Sequence, residues 1–517
     1  MEHKRAIMTI ALIVALGGLL MGFDASVISG VLKFIEPEFG LTKLELGWSV
    51  ASLTLTSTLA MMIAGPISDR YGRRAVLRWA AILYALSAIG SALATSFLTL
   101  VIARMIGGFG VGASLILAPM YIAEISPKEL RGRLVSFNQL NIVIGISLAF
   151  FTNYAILQFA KTDASWVQSL GIDKYQWRWM LGLETLPAIL YFLGLFFVPR
   201  SPRWLLMKEE VEEAREILAR FNGPDKARNE VERINQSINE DSEKPKGSIG
   251  ELFKPALKLV VTIGVVVAVL QQITGINSVF FYAPMIFEQS GLGTDAAFMQ
   301  AILVGLVNLG FTILAILFID RFGRKPLLTY GVAGIVLSMF VLAYGFNSAT
   351  YRLDADDMTA FETSITELAT LEGQSFDSEA SFQEAVEGIS SPEIYIKQKE
   401  DLIKSSIQLN TFLILAAILA FVASFAISIG PVMWVLFSEL FPNRIRGIAI
   451  SFVGLINSAV SFIVQWVFPW ELEVLGSATT FLIYGLFALA GLIFIIRVIP
   501  ETKGVSLEEL EKKLVKS

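Results

Sequence analysis

An acidic and a basic residue lie inside long apolar runs of this 517-residue chain. The acid is Asp24, in the first run, and the base is Arg104, in the fourth. A charge in the interior of a membrane segment costs roughly 2.5–3.5 kcal/mol on insertion scales, so an ionisable residue there is a candidate functional group. Burial and a nearby cation act in opposite directions on the proton affinity of a carboxyl group. Such a pair is suited to taking up and releasing a proton; a purely structural ion pair is the alternative.

Neutral amides cluster in the seventh apolar run, where Gln271 and Gln272 are followed by Asn277. An amide both donates and accepts hydrogen bonds, which suits a ligand rich in hydroxyl groups. Gly275 between them and Pro284 beyond them are expected to loosen the helix, so that the amides converge on one ligand. Interhelical hydrogen bonding without a ligand is the alternative. Further candidates for this site lie in other apolar runs, namely Gln139, Asn308, Gln465 and the aromatic Trp434.

Membrane helices must position these residues. The chain is 54% hydrophobic, whereas soluble domains are about 45–50% apolar. Twelve apolar runs reach the roughly 20 residues that a spanning helix needs, and spanning segments must satisfy their backbone groups internally, so we predict an all-α membrane protein. The runs lie near residues 7–30, 47–67, 75–95, 98–123, 134–158, 179–199, 257–287, 296–319, 326–346, 409–437, 448–470 and 477–498.

A six-residue motif occurs twice between apolar runs, which indicates two related bundles. Asp69 begins the copy Asp-Arg-Tyr-Gly-Arg-Arg, and Asp320 begins Asp-Arg-Phe-Gly-Arg-Lys. Repeats at matching places are typical of duplicated transporter bundles. A carboxylate near arginines at a helix end can clasp the neighbouring bundle in one conformation and release it in another; a simple anchor of positive charge is the alternative. The candidate gating residues are Asp69, Arg73, Glu124, Arg131, Asp320, Arg324, Glu439, Arg446 and Glu501.

The charged loops predict orientation and domain boundaries. Lys and Arg follow the even-numbered runs, so we expect both termini on the cytoplasmic side. We predict a first six-helix bundle over 1–202, an amphipathic helical linker over 203–250, a second bundle over 251–498 and a tail over 499–517. The second bundle carries an outward-facing insertion, 347–408, with thirteen acids and four bases. Its apolar residues predict partial helical order, and a tolerated loop insertion is the plain interpretation.

The motifs together resemble those of the sugar porter family of the major facilitator superfamily. The matching stretches begin at Gly17, Pro119, Arg131, Ser201, Gln271, Gly430 and Pro500, and read GGLLMGFD, PMYIAE, RGRLVSFNQ, SPRWL, QQITGIN, GPVMW and PETKG. The likeness covers nearly the whole chain except the insertion and is greatest to bacterial proton-coupled monosaccharide symporters of the xylose or glucose type. It implies two six-helix bundles around a central sugar site that opens alternately to each side.

The resemblance implies roles for individual residues. It places Arg104 beside Asp24, and related facilitators have a neutral residue at the position of Asp24, so the carboxylate favours symport. The amides and Trp434 are then the expected sugar contacts. Three positions depart from the family pattern: Phe281 replaces a tyrosine, Ile146 replaces a glutamine, and Arg200 replaces the acid of a Pro-Glu-Ser-Pro-Arg motif. The first two leave the identity of the sugar open, and the third predicts a differently wired charge cluster in the first half.

The prediction is therefore a proton-coupled symporter of a hexose or pentose in a bacterial inner membrane, functional as a monomer. A uniport facilitator and a carrier of a cyclic polyol such as inositol are the alternatives within transport. A non-transporting sugar receptor is the alternative from another class. The chain lacks cysteine and its only histidine is His3, which excludes disulfides, thiolate metal sites and histidine-based catalysis. We predict no enzyme activity, no metal, no cofactor other than the coupling proton and no nucleic-acid partner.

Overall fold

The structure is a computed structural model of the chain. It describes residues 2–127, 130–243, 248–353, 366–389, 402–403, 405–442 and 445–503. The chain is mostly helical, and the described part contains ten helices that are long and apolar enough to cross a membrane. Two further spans complete the predicted twelve, because the last of the ten helices contains two spans and the sixth span is broken into shorter helices.

The first bundle consists of the first six spans. A capping box begins the second helix, where Thr42 Oγ1 accepts from the Glu45 amide and Glu45 Oε2 accepts from the Thr42 amide. A helix break beside Glu184 divides the sixth span. The helices are α1 (Glu2–Phe39), α2 (Lys43–Tyr71), α3 (Arg73–Ala92), α4 (Phe97–Ile125), α5 (Arg131–Phe159), α6 (Ser165–Ser169), α7 (Gln176–Gly182) and α8 (Thr185–Gly194).

A helical linker follows, as the amphipathic pattern predicts. It comprises α9 (Pro202–Met207), α10 (Val211–Asn222) and α11 (Pro224–Glu243), with 3₁₀ helices over Ile249–Phe253 and Pro255–Leu257. Ala214 and Leu218 are buried in a small apolar cluster with Leu205. Val211 begins the amphipathic pattern but is 40% exposed, because it lies at the first turn of α10, beyond that cluster.

The second bundle contains breaks in two spans that the sequence presents as continuous runs. The run near 257–287 forms three helices, and the run near 409–437 bends at Ser428. The last two spans form one continuous helix bent at Gly476, whose φ is 76°, so the expected loop around 471–473 is helical. The helices are α12 (Lys258–Ile273), α13 (Ile276–Phe281), α14 (Ala283–Gln289), α15 (Thr294–Phe322), α16 (Arg324–Asn347), α18 (Thr411–Ile427), α19 (Ile429–Leu440) and α20 (Arg446–Val498), with α17 in the insertion.

The described part of the insertion has a small core of its own. Helix α17 spans Glu379–Glu387, a 3₁₀ helix spans Thr366–Leu371, and three antiparallel strands order as β2 (Ser375–Phe376), β1 (Thr350–Arg352) and β3 (Ile407–Gln408). The predicted helical order is therefore present, but the sheet was not expected, because its strands are only two or three residues long. Buried side chains common to this core include Tyr351, Leu368, Leu371, Phe382 and Val386.

The duplicated motif folds in the same way in both halves. The turn between α2 and α3 is made by Gly72 with φ 91° and ψ 147°, and the turn between α15 and α16 by Gly323 with φ 91° and ψ 163°. Only glycine adopts this backbone conformation at little cost. We call the end of the molecule with these turns the basic end, and the opposite end, which carries the insertion, the insertion end.

Candidate functional site

Asp24 and Arg104 lie together in the core of the first bundle. Each is 1% exposed, and Arg104 Nη1 is 3.4 Å from Asp24 Oδ1. This contact is longer than the roughly 2.7–2.9 Å of a strong charge-assisted hydrogen bond. Arg104 also donates from Nε to the Ser49 carbonyl at 2.9 Å. The arginine thus divides its donors between the carboxylate and the backbone, which leaves the ion pair loose.

The second oxygen of the Asp24 carboxylate has no hydrogen-bond partner among the described residues. It lies against Gly107 of α4, where an added Cβ would be 2.9 Å from Oδ2 and 2.4 Å from Ser87 Oγ. Gly107 therefore lets α4 approach α1 closely enough to bring Arg104 to the carboxylate. The geometry leaves Oδ2 available to carry a proton.

A second buried acid was missed in the sequence. Glu184 is 2% exposed at the break between α7 and α8, and its Oε1 has no partner in the described part of the chain. An ionisable residue inside the apolar run 179–199 meets the same criterion that singles out Asp24. The first bundle thus contains three buried ionisable groups rather than two.

The amides of the seventh span form a connected cluster at the predicted helix break. Helix α12 ends at Ile273, and Gly275 has φ 85° before α13 begins. Gln272 donates to Gln271 Oε1 at 3.1 Å, and Asn277 donates to Gln272 Oε1 at 2.8 Å. Gln271 donates to the Gly430 carbonyl at 3.3 Å. The break therefore turns the three amides toward one another, as predicted from Gly275.

Asn457 of α20 is the central member of this cluster and was missed in the sequence. Its Nδ2 donates to Gln271 Oε1 at 2.8 Å, and its Oδ1 accepts from Gln272 Nε2 at 3.2 Å. An amide in an apolar run was a detectable signal, but Gln465 was selected in the same run instead. We call Gln271, Gln272, Asn277 and Asn457 the amide cluster.

Gln465 lies two turns beyond Asn457 on one face of α20, with Ser461 between them. Gln465 donates to Ser461 Oγ at 2.7 Å and accepts from Thr54 of α2 at 2.8 Å. This face of the second bundle is therefore turned toward the first bundle. The buried hydroxyl of Tyr282 donates to the Gln465 carbonyl at 2.7 Å, whereas the neighbouring Phe281 packs in the apolar core.

The remaining candidates are less tightly held. Gln139 is exposed and lies nine residues from exposed Leu148, which is about half a turn around α5. Trp434 is 49% exposed, one turn from Gly430, with its ring 6.0 Å from that of Phe437. Asn308 is 5% exposed and has no hydrogen-bond partner among the residues that the structure describes.

The two bundles are joined at the insertion end. Every hydrogen bond, ion pair and ring contact between described residues of the two bundles lies in the insertion-end halves of the helices. The backbones come closest at Gly47, where an added Cβ would be 1.9 Å from the Trp466 carbonyl oxygen. The polar pairs are Lys33 with Glu288, Lys161 with Asp295, Gln158 with Asp295, Ser147 with Gly305, Thr54 with Gln465 and Trp466 with Leu44.

The candidate gating charges pair within each bundle. In the first, Arg73 contacts Asp69 at 2.6 Å and Glu124 at 3.2 Å. In the second, Arg324 contacts Glu439 at 2.8 Å. Between described residues, the expected clasp onto the neighbouring bundle is absent in this conformation, because the bundles make their polar contacts at the opposite end.

The two Arg-Gly arginines bind backbone rather than carboxylates. Arg131 donates to the Ser126 carbonyl at 3.4 Å, and Arg446 donates to the Phe441 carbonyl at 3.1 Å. Each therefore closes the turn before its own helix. The side chain of Asp320, the remaining candidate, lies outside the described part of the structure, as do Lys128 and Arg444 of the basic loops.

Two related helical bundles with buried polar groups between and within them, joined at one end only, define a membrane transporter of the alternating-access type. The sequence profile described as "Sugar (and other) transporter" matches residues 10–360 and 394–514. The chain belongs to this sugar transporter family. The structural likeness described next identifies its all-α architecture as the major facilitator fold, and a transporter rather than an enzyme is what the family defines.

Individual relatives resemble the chain over nearly its whole length. It is 34% identical to the arabinose-proton symporter of Bacillus subtilis (strain 168), over 97% of this chain and 93% of that protein. It is 35% identical to the D-xylose-proton symporter of Escherichia coli (strain K12), over 98% and 95%. Among solved structures, a partially occluded inward-open conformation of the E. coli xylose transporter matches with TM-score 0.73 and 32% identity, over 97% of this chain and 100% of that one.

Proposed function

We propose that this protein is a proton-coupled symporter that carries a monosaccharide, a hexose or a pentose, into a bacterial cell. The relatives just described are named for arabinose and D-xylose carried with a proton. The observation that carries the proposal is the buried Asp24 carboxylate, which is loosely paired with Arg104 and has one oxygen without a partner. A facilitator has no use for such a costly group, whereas a symporter needs a seat for its proton.

The amide cluster is the proposed sugar site. Each sugar hydroxyl both donates and accepts, and the amides that now bond one another can exchange those bonds for bonds to the ligand. Gln139, Asn308, Trp434 and Gln465 are proposed to surround the sugar, with the Trp434 ring against its apolar C–H surface.

Alternating access follows from the contacts between the bundles. The structure is closed at the insertion end, which we assign to the outside because the Lys- and Arg-rich loops lie at the other end. Both termini are then cytoplasmic, and this conformation faces the cytoplasm. In the proposed cycle, Asp24 takes a proton from outside, Arg104 relaxes onto the backbone, and sugar-loaded closure follows. Release of the proton inside resets the carrier.

The energetics allow substantial accumulation. One proton that moves down about 100 mV yields about 2.3 kcal/mol. Because about 1.4 kcal/mol corresponds to a factor of ten, this supports about fiftyfold accumulation. The proposed gating charges, including Arg73, Glu124, Arg324, Glu439 and Glu501, would re-pair across the basic end when the carrier faces outward.

Uptake of a panel of radiolabelled sugars by proteoliposomes, with and without a protonophore, tests the proposal. We expect one hexose or pentose to accumulate, and the protonophore to reduce its level to equilibration. Equal uptake with and without the protonophore would identify a facilitator. Transport of inositol but of no monosaccharide would instead identify a polyol carrier.

A further inference from the structure

The basic end of the second bundle contains a built anion site that holds a carboxylate of the chain itself. Glu501 accepts from the amides of Arg324 and Lys325 at 3.1 Å each, in the first turn of α16. It also accepts from the amides of Thr502 and Lys503 at 2.9 and 2.8 Å. The first turn of a helix attracts anions because its amides point outward without helical partners.

The first bundle has the same helix start but not the same carboxylate. Gly72 corresponds to Gly323, and Arg200 stands where the second half has Glu501, since Pro-Arg-Ser corresponds to Pro-Glu-Thr. No side chain of the described residues accepts from the first-turn amides of α3. Arg200 turns away to Glu210, at 3.0 Å, and to Glu213.

An open pocket lies at this position, with about 320 Å³ of empty space. The residues that line it are Tyr71, Gly72, Arg73, Arg74, Ala75, Arg78, Arg200, Ser201 and Trp204. Four of these nine are arginines and none is acidic. The pocket therefore offers an anion the helix start that Glu501 occupies in the other half.

Two of the arginines have no carboxylate partner in the described structure. Arg74 donates to the Val198 carbonyl at 3.0 Å, and Arg78 donates to the Leu195 carbonyl at 3.1 Å. The Nε of Arg78 is buried and has no hydrogen-bond partner among the described residues. A buried unpaired guanidinium N–H is costly, and an oxyanion in the pocket would satisfy it.

We propose that this pocket binds a phosphate-type oxyanion between the first turn of α3, Arg74, Arg78 and Arg200. The surrounding surface carries exposed aromatic side chains typical of a membrane interface: Tyr71, Trp79, Phe196 and Phe197 are 48%, 46%, 53% and 81% exposed. The phosphate of an anionic lipid headgroup reaches this level of the membrane, and free inorganic phosphate has the same chemistry.

Calorimetric titration of the detergent-solubilised full chain tests the site with three probes: short-chain phosphatidylglycerol, phosphatidylcholine of the same chain length, and inorganic phosphate. We expect one saturable site for phosphatidylglycerol that phosphatidylcholine does not fill. Binding of inorganic phosphate to that site would identify a free-anion site, and its absence a headgroup site. No saturable binding of either anionic probe would overturn the proposal.

Three variants locate the binding. Arg74→Gln and Arg78→Gln should each weaken it about tenfold, the effect of one charge-assisted hydrogen bond. Arg200→Glu should abolish it, because the new carboxylate can cap α3 as Glu501 caps α16; this variant should also unfold at a higher temperature, so it remains informative if the others fold poorly. Arg133→Gln, at an exposed basic position outside the pocket, is the control. Unchanged binding in Arg200→Glu, or equal loss in Arg133→Gln, would refute the assignment.

Discussion

The two bundles share a backbone plan but differ in the chemistry of their buried polar groups. The first bundle buries ionisable side chains, Asp24, Arg104 and Glu184, and at least one oxygen of each acid lacks a partner among the described residues. The second buries neutral amides whose donors and acceptors are largely matched to one another. The same duplicated scaffold thus separates a group that can change charge from groups that can exchange hydrogen bonds.

This separation has a physical basis. A sugar site must exchange one set of hydrogen bonds for another at little net cost, which neutral amides do well. A proton site must instead make its two charge states differ in their surroundings. In the proposed mechanism one bundle senses the proton and the other holds the sugar, and movement of the bundles against each other couples the two.

Replacement of the proposed proton seat should produce the largest effect. Asp24→Asn keeps the size of the side chain but cannot ionise, so we expect loss of all sugar accumulation, up to about fiftyfold, while counterflow exchange remains. Radiolabelled uptake and exchange in proteoliposomes measure both. The exposed Asp163→Asn is the control. An Asp24→Asn carrier that still concentrates sugar would place the coupling elsewhere.

Loss of a cluster amide should affect the sugar rather than the proton. Gln272→Ala or Asn277→Ala removes hydrogen bonds worth about 1–3 kcal/mol, so the half-saturating sugar concentration should rise about 5- to 150-fold. Initial uptake rates over a range of sugar concentrations measure this, and exposed Gln168→Ala is the matched control. Unchanged half-saturation in both variants would remove these amides from the sugar site.

The charge cluster of the second half should contribute to stability in a pH-dependent manner. Burial acts to raise the pKa of Glu501, but the backbone N–H donors around it outweigh burial and hold the pKa below its ordinary value of 4.5. Its stabilisation is therefore present at neutral pH and is lost as the pH falls through this lowered pKa. Glu501→Gln should cost about 1 kcal/mol at pH 7 and less in acid.

Thermal unfolding followed by fluorescence, at neutral pH and at a pH below the ordinary glutamate range, measures this difference. Glu473→Gln, at an exposed acid, is the control. A deficit in Glu501→Gln that does not shrink in acid would contradict the cap.

Removal of the insertion should have the smallest effect. Its described side chains form a core separate from that of the bundles, so deletion of most of 350–404, with a short Gly-Ser bridge, should leave uptake unchanged. Initial uptake rates and surface expression measure this together. Loss of transport at normal expression would show that the insertion has a role in the cycle.

The sequence predicted features that depend on local chemistry. The break at Gly275, the twin turns at Gly72 and Gly323 and the twelve apolar spans follow from residue type and repetition. Glu184 and Asn457 were also accessible to the rules applied to Asp24 and Gln271, and were overlooked. The pairing of Arg73 and Arg324 within their own bundles was not accessible, because it depends on how two rigid bodies stand relative to each other, which no local pattern encodes.

The central claim is that sugar and proton cross together, with Asp24 as the proton's seat. The most direct measurement is the external pH of de-energised proteoliposomes after addition of the transported sugar outside. We predict a sugar-dependent alkalinisation outside that Asp24→Asn eliminates. Sugar entry without a pH change in the unmodified protein would contradict the account.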